Sequence, residues 1–267
     1  MLELSGASRT HLHKTRPKNA PFRAACPWIG AILCFGAQAD TLDPVHVAHA
    51  WMPDVDIIGR HDNGLGSSAS ASQGVISGKQ LQDHALLRPA DVLADIPGMV
   101  VTQHSGEGKA NQYFLRGINL DHGTDFATTV NGVPVNMPSH AHGQGYTDLN
   151  FLIPELVQKV HYQKGPYDAQ NGDFGSAGTA HIDYLRQMDS PLAQVTVGQG
   201  GFQRMLLAGS PATDAGQGKL LYGLEVFRND GPWQTPEDLR KLNGVVRYSD
   251  GSALNGFALT AMAYRSQ

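Results

Sequence analysis

Residues 91–101 read DVLADIPGMVV, a stretch that predicts a short helix, an abrupt stop and a short strand in direct succession. The helix is expected to begin near Pro89, because proline is favoured at the first helical position. Pro97-Gly98 is expected to end it. Met99 to Thr102 then has the apolar, β-branched character of a strand.

Short helix and strand signals continue on both sides of this stretch. Upstream, Ser77 can cap a helix, with Gln80 completing a capping box. Downstream, the sequence VNGVP at 130–134 is a strong hairpin signal, because Asn-Gly is flanked by apolar residues. The other expected elements are a one-turn helix after Pro154, over residues 155–158, and strands over 112–116, 159–163 and 181–185. The pattern predicts an α+β domain over residues 75–187.

Residues 188–267 have a different texture, with segments of about ten residues that alternate in polarity and are separated by turn residues. On one of them, Leu220, Tyr222, Leu224 and Val226 fall on the same side. Such segments are typical of transmembrane β-barrels. A soluble antiparallel sheet with one hydrated face alternates in the same way, so the pattern alone leaves both structures open.

The first 39 residues are typical of a secretory signal peptide. A basic stretch precedes an apolar run over 24–35, and Ala37-Gln38-Ala39 follows as a small-x-small cleavage site. The run is shorter than the roughly 20 residues of a transmembrane helix; a buried N-terminal helix is the alternative. Cleavage after Ala39 would remove Cys26 and Cys34, the two cysteines of the chain, so the exported protein could form no disulfide.

Charge and composition exclude some classes of protein. The formal net charge is −4, so the basic footprint of a nucleic-acid-binding protein is absent and no nucleic-acid partner is expected. The chain has 31 glycines and only 16% charged residues, which favours a turn-rich and strand-rich protein over a helical bundle. No sequence feature calls for a cofactor.

Five motifs, in one order, resemble the plug domain of TonB-dependent outer-membrane receptors. They are DVLADIPGMVV at 91–101, FLRGI at 114–118, VNGVPV at 130–135, VQKVHYQKGP at 157–166 and GDFGSAGTAHI at 172–182. The structural positions that the resemblance marks are Pro97, Gly98, Arg116, Gly117, Asn131, Gly132, Gly165, Pro166 and Gly178. The resemblance implies an α+β plug domain followed by antiparallel transmembrane β-barrel strands, and so favours the barrel over the soluble sheet.

The family implies a location and a set of partners. These are the outer membrane of a Gram-negative bacterium, its lipid, a small ligand such as a siderophore or metal chelate, and a TonB-type energy-transducing protein of the inner membrane. That protein pairs with an extended segment, the TonB box, by strand addition. Within a flexible leader over residues 40–74, the second-choice box is Val45 to Ala48, and the first choice is Val55, Asp56, Ile57, Ile58 and Gly59.

Arg116 has a specific expected role in such a plug. Its guanidinium, with five donors, is suited to tying a plug turn to acidic groups on the barrel wall. The alternative is an ordinary surface cation.

The loops between the motifs carry an unusual set of polar side chains. In a plug they would face the incoming ligand, and their histidines and carboxylates could bind a divalent cation or a metal chelate. The alternative is a hydrogen-bonded network that holds the loops together. The ligand-facing candidates are His104, Glu107, Lys109, His122, Asp125, His140, His142, Tyr146 and Asp148.

The resulting expectation is a receptor and transporter for a scarce ligand. The alternatives are a soluble periplasmic binding or adhesion module that uses the same loops, and a metal-dependent hydrolase. Because no catalytic motif such as His-Glu-x-x-His or Gly-x-Ser-x-Gly occurs, an enzyme is not expected. Residues 188–267 supply only the first strands of a family barrel, so we expect an N-terminal fragment that is inactive alone.

Overall fold

The fold is described from a computed structural model of the chain. The structure describes residues 67–70, 72–86, 88–104, 106–213, 218–252 and 255–267. The expected signal peptide and both TonB-box candidates, at 45–48 and 55–59, lie outside the described residues.

The first part of the described chain is a mixed α+β unit built on two sheets. A six-stranded sheet has the order β1-β2-β8-β9-β6-β7, with β6 and β9 parallel, and a three-stranded sheet has the order β3-β4-β5. The strands are β1 Ser67–Ser70, β2 Gln73–Ser77, β3 Met99–Thr102, β4 Gln112–Leu115, β5 Ile118–Asn119, β6 Phe126–Val130, β7 Val133–Pro134, β8 Val157–Lys164 and β9 Gly178–Tyr184. One α-helix, α1 (Gly78–Gln82), and 3₁₀ turns at Pro89–Leu93, Pro154–Leu156 and Ala169–Asn171 connect them.

Two local signals of the sequence are confirmed. The Ser77 hydroxyl accepts from the Gln80 N–H at 3.3 Å, and the Gln80 side chain accepts from the Ser77 N–H at 2.9 Å, which is the expected capping box at the start of α1. Asn131 and Gly132 have φ of 50° and 80° between β6 and β7. Positive φ at both central residues matches the right-handed twist of the two strands, so the Asn-Gly hairpin forms where the sequence predicts it.

The expected helices after Pro89 and Pro154 are shorter and tighter than predicted. Both are 3₁₀ turns, Pro89–Leu93 and Pro154–Leu156, and β8 already begins at Val157, so Gln158 lies in a strand. A 3₁₀ turn reverses direction within three or four residues, which suits connections this short.

A strand also occurs where the sequence predicts flexible leader. The backbone of β1 pairs with β2 at the edge of the six-stranded sheet. Backbone pairing requires no apolar side-chain alternation, and the sequence pattern therefore gave no sign of this strand.

The second part is an antiparallel sheet in which each strand pairs with the next along the chain. Among the described residues its five strands form an open sheet, not a closed barrel, as expected for the first strands of one. They are β10 Leu192–Val197, β11 Gln203–Gly209, β12 Lys219–Asn229, β13 Leu239–Gly251 and β14 Gly256–Ser266. We call this sheet the wall and the preceding α+β unit the plug.

One face of the wall carries exposed apolar side chains. On β12, Leu224 is 44% exposed, whereas its neighbour Glu225 is 1% exposed. The exposed apolar set is Val195, Val197, Met205, Leu207, Tyr222, Leu224, Val226, Leu242, Val246, Tyr248, Phe257 and Leu259. A soluble sheet with one hydrated face has the opposite arrangement. A face with this polarity is the one that a transmembrane β-barrel presents to lipid.

The inner face of the wall packs on the plug. Gly223 of β12 allows the closest approach, because a Cβ there would lie 2.7 Å from Leu156 Cδ1. The Asn243 side chain donates to the Phe151 carbonyl at 2.6 Å. Plug residues such as Leu152 and wall residues such as Leu206 belong to one buried apolar cluster. Among the described residues, no helix combines the length and the apolarity needed to cross a membrane.

Candidate functional site

Three plug loops, at residues 103–104 with 106–111, 120–125 and 136–148, are joined by hydrogen bonds into one surface, which we call the loop surface. The buried Asn136 amide joins two of them, donating to the carbonyls of Gly123, Phe126 and Gly145 at 2.9, 3.0 and 3.2 Å. Its carbonyl oxygen accepts from the Thr128 N–H at 2.7 Å. At the base of this surface the loops therefore form a hydrogen-bonded network, which is the alternative that the sequence left open.

Replacing Asn136 with alanine is expected to lower the free energy of unfolding by about 2–3 kcal/mol, because buried backbone groups lose their partners. Urea denaturation of the chain in detergent measures this. Asn119→Ala is the control, since its exposed side chain accepts from Asp121 N–H at 2.9 Å and the loss should stay below about 1 kcal/mol. Equal losses for the two variants would show that the Asn136 clamp contributes nothing of its own.

Gly123 allows the 120–125 and 136–148 loops to meet. Its φ is 115°, and a Cβ there would lie 2.4 Å from Thr147 Oγ1. Gly123→Ala should therefore lower the free energy of unfolding by about 2–3 kcal/mol, since backbone strain adds to a clash. Gly132→Ala is the matched control, because Gly132 has φ of 80° with nothing within 4 Å of its Cβ position. It should cost only the strain, about 1–2 kcal/mol. Thermal denaturation of both variants compares them, and an equal loss would contradict the close approach.

Four histidines and one tyrosine form a ring cluster on the loop surface. His140 stacks on Tyr146 with centroids 4.0 Å apart, and the His122 ring lies 4.5 Å from His142 and 5.1 Å from His104. The buried Tyr146 hydroxyl accepts from the Ala110 N–H at 2.8 Å. The structure thus gathers five of the nine ligand-facing candidates in one place.

His122 is the buried centre of the cluster, with 2% of the residue exposed. Its Nδ1 lies 2.9 Å from the Asn111 carbonyl oxygen, and because a carbonyl only accepts, Nδ1 carries the proton. Nε2 then presents its lone pair, and it has no hydrogen-bond partner in the part of the chain that the structure describes. It lies 3.6 Å from Asp121 Oδ1. Burial lowers the pKa of His122, which favours the neutral ring.

The other four candidates lie apart from these rings. Asp125 accepts from the Ser176 hydroxyl, and the Glu107 N–H donates to Glu237 at 3.1 Å. Asp148 accepts from the Asn150 N–H, and burial raises its pKa. Lys109 is half-buried and contributes its carbonyl to Asn150 Nδ2 at 3.3 Å.

Asp121, which sequence reasoning passed over in favour of Asp125, is the carboxylate that meets the rings. Its φ of 50° is unusual for a residue with a side chain, and its Oδ1 lies 4.0 Å from His142 Nε2. In the sequence, the position of Asp121 directly before His122 is the one sign that its carboxylate could lie near the imidazole rings.

The motif positions of the sequence lie mainly at tight turns of the plug. Gly98, Gly117, Gly132, Gly165 and Gly178 all have positive φ. At Gly178 a Cβ would lie 2.5 Å from the Gln163 carbonyl. Pro97 accepts from Lys164 Nζ at 3.2 Å, and Asn131 accepts from the Tyr184 N–H at 3.0 Å. Pro166 follows Gly165 in the turn after β8.

Arg116 is exposed, and within the described residues its guanidinium makes no ion pair with the wall. The backbone N–H of Arg116 donates to the Gly98 carbonyl at 2.8 Å. The role expected for Arg116 stays a prediction. Within the described residues, an ionic contact between plug and wall is made by a wall residue. Arg204 of β11 makes a bidentate salt bridge with Glu155 of the plug. Its Nη1 donates to Glu155 Oε1, and its Nη2 donates to Glu155 Oε2 at 2.9 Å.

The Arg204 contact is part of a buried ionic cluster. Arg204 Nε donates to Glu225 Oε1 at 2.7 Å, and Lys241 Nζ lies 3.1 Å from Glu225 Oε2. Glu225 is 1% exposed and Lys241 8%. This cluster was not among the candidate sites predicted from the sequence.

The chain resembles known proteins in a family model and in solved structures. The family model for the TonB-dependent Receptor Plug Domain matches residues 66–179. The copper transporter OprC superposes with a TM-score of 0.57 at 22% identity, covering 75% of this chain and 31% of its own. The ferric yersiniabactin uptake receptor FyuA from Yersinia pestis gives 0.54 at 21% identity, with 74% and 33% covered.

A mutant of the ferric enterobactin receptor PfeA from Pseudomonas aeruginosa, solved with enterobactin, gives a TM-score of 0.56 at 16% identity. The match covers 75% of this chain and 34% of that one. At these identities the likeness concerns the fold, and the chain spans about a third of the length of the solved structures that it matches.

Proposed function

Because the chain contains the plug domain of a TonB-dependent receptor at residues 66–179, we propose that it forms the plug and the first wall strands of an outer-membrane receptor that imports a small ligand. The ligand would be scarce and polar, such as a metal chelate, and a TonB-type protein would supply the energy. We place the protein in the outer membrane of a Gram-negative bacterium.

The polarity of the wall is the observation that carries this proposal. Its outer face exposes apolar side chains, whereas Glu225 and Lys241 are buried, and Arg204 is largely buried, on the face that meets the plug. An exposed apolar surface of this extent on a water-soluble protein would favour aggregation. In a lipid-embedded wall around a polar plug, both faces meet a suitable environment.

The ligand is expected at the loop surface. A set of imidazole rings, a phenol and a carboxylate within a few ångströms offers hydrogen-bond and metal-ligand chemistry in one place. Among the described residues, no comparable set faces the wall. The charged side chains there include Arg204, Glu155, Glu225 and Lys241, which pair with one another.

The energy-coupling partner is expected at Val55 to Gly59, ahead of the first described strand. The test is disulfide cross-linking between Ile57→Cys, with Cys26 and Cys34 replaced by serine, and a TonB periplasmic domain that carries one cysteine. A cross-link at 57 is expected, with none at Ser139→Cys on the loop surface. A Val47→Cys variant tests the second candidate box in the same experiment.

Fractionation of cells that express the chain completes the test. The proposal expects the protein in the outer-membrane fraction, released only by detergent. Recovery from the periplasmic fraction without detergent, together with no cross-link at 47 or 57, would overturn the proposal in favour of a soluble module.

A further inference from the structure

We propose that Asp121, His122 and His142 form a binding site for a divalent transition-metal cation such as Zn²⁺ or Cu²⁺. The inference rests on the proposed function and deepens it, since it names a metal ion as the part of the ligand that the loop surface recognises.

The three side chains are spaced for a common ion. One ligand atom from each lies within 4.8 Å of the other two, and Asp121 Oδ1 lies 3.6 Å from His122 Nε2 and 4.0 Å from His142 Nε2. Bonds of about 2.0–2.1 Å to a tetrahedral ion place ligand atoms about 3.4 Å apart. Closing the set therefore needs the ligand atoms to approach one another by up to about 1.4 Å, chiefly by movement of the exposed His142 side chain.

His122 supplies an independent observation that points to a ligand. Its Nε2 is buried and has no hydrogen-bond partner among the described residues, although a buried polar atom normally has one. The atom is directed toward Asp121 and His142. An ion bound there would satisfy it.

The orientation of His122 is fixed as in metal sites. Its Nδ1 donates to the Asn111 carbonyl at 2.9 Å, which sets the tautomer and leaves Nε2 as the donor to a metal. Metal-ligating histidines almost always use their second nitrogen in this way. The Asn111 residue is itself buried, at 4% exposure, so the orienting carbonyl is held in place.

The donor set selects the class of ion. Two imidazoles and one carboxylate suit Zn²⁺, Cu²⁺ or Ni²⁺, whereas Mg²⁺ and Ca²⁺ prefer oxygen donors throughout. Three protein ligands leave a coordination position open. Because His142 and Asp121 are 38% and 48% exposed, that position faces solvent, where water or a donor atom of a chelate would bind.

The test is calorimetric titration of the purified full chain with Zn²⁺ alone. His142→Ala and Asp121→Asn should each weaken the site at least about tenfold, and both residues are exposed enough for the fold to survive. His84→Ala is the matched control. His84 is also an exposed histidine beside a carboxylate, 3.6 Å from Asp95, and its loss should leave the affinity unchanged.

Electron paramagnetic resonance with Cu²⁺ identifies the ligands in the same samples. Coupling to two imidazole nitrogens is expected in the unaltered chain and to one in His142→Ala. Zn²⁺ affinities that are equal in the chain and in both site variants, or a Cu²⁺ spectrum that His142→Ala leaves unchanged, would overturn the site. Neither measurement uses TonB or a membrane, so this result and the cross-linking result can fail separately.

Discussion

Replacing Arg204 with alanine lowers the free energy of unfolding by about 3–5 kcal/mol, the cost of removing one partner of a buried ion pair. The substitution leaves Glu155 without its guanidinium partner and removes one of the two cations that pair with Glu225, so that Lys241 is the ion-pair partner that stays. Arg204→Lys should recover only part of the loss, because an ammonium group cannot bridge both carboxylates with the fork of a guanidinium. Urea denaturation of the chain in detergent micelles measures each variant.

An exposed arginine on the same sheet provides the control for Arg204. Arg240 pairs with Asp238 at 3.0 Å, but both side chains are more than half exposed. Arg240→Ala should therefore cost at most about 1 kcal/mol. Similar losses for Arg204→Ala and Arg240→Ala would contradict the claim that the buried cluster fastens the wall to the plug.

Replacing Leu224 with arginine is the second substitution with a large expected effect. If the outer face of the wall lies in lipid, a charge near the bilayer midplane costs about 2–4 kcal/mol. The free energy of unfolding of the chain in lipid vesicles reports the loss. In water a charged side chain at a position 44% exposed would change stability by only about 0.5 kcal/mol.

Leu224→Ala separates the charge from the lost contacts. It removes the same apolar side chain without adding a charge, so its cost in vesicles should be clearly smaller than that of Leu224→Arg. Comparable costs for both variants would mean that Leu224 contributes packing alone and would count against a lipid-facing wall.

Local features of the fold could be predicted from the sequence because few residues determine them. The capping box needs only Ser77 and Gln80, and the hairpin needs only Asn131-Gly132 between apolar residues. Alternation likewise placed Leu224 and Tyr222 on one face of their strand, as the structure shows. The choice between lipid and water for that face required the packing of the wall on the plug, which alternation does not encode.

The buried ionic cluster and the loop surface were harder to predict, because their contacts join distant parts of the chain. Arg204 and Glu155 are 49 residues apart, and nothing near either one in the sequence indicates the other. Within the loop surface, the choice between Asp121 and Asp125 depends on backbone direction. Asp121 has φ of 50° and meets the rings, whereas Asp125 bonds to Ser176. The TonB-box and ligand-facing assignments remain predictions.

The central claim is that the apolar face of the wall lies in lipid while the plug loops meet water. Nitroxide labels at Leu224→Cys and Val246→Cys, with Ser139→Cys as the loop position, test it in vesicles on a chain whose Cys26 and Cys34 are serine. We expect oxygen to raise the relaxation rate of the two wall labels strongly and the water-soluble nickel chelate to raise it little. At position 139 we expect the reverse. Nickel accessibility at 224 and 246 equal to that at 139 would contradict it.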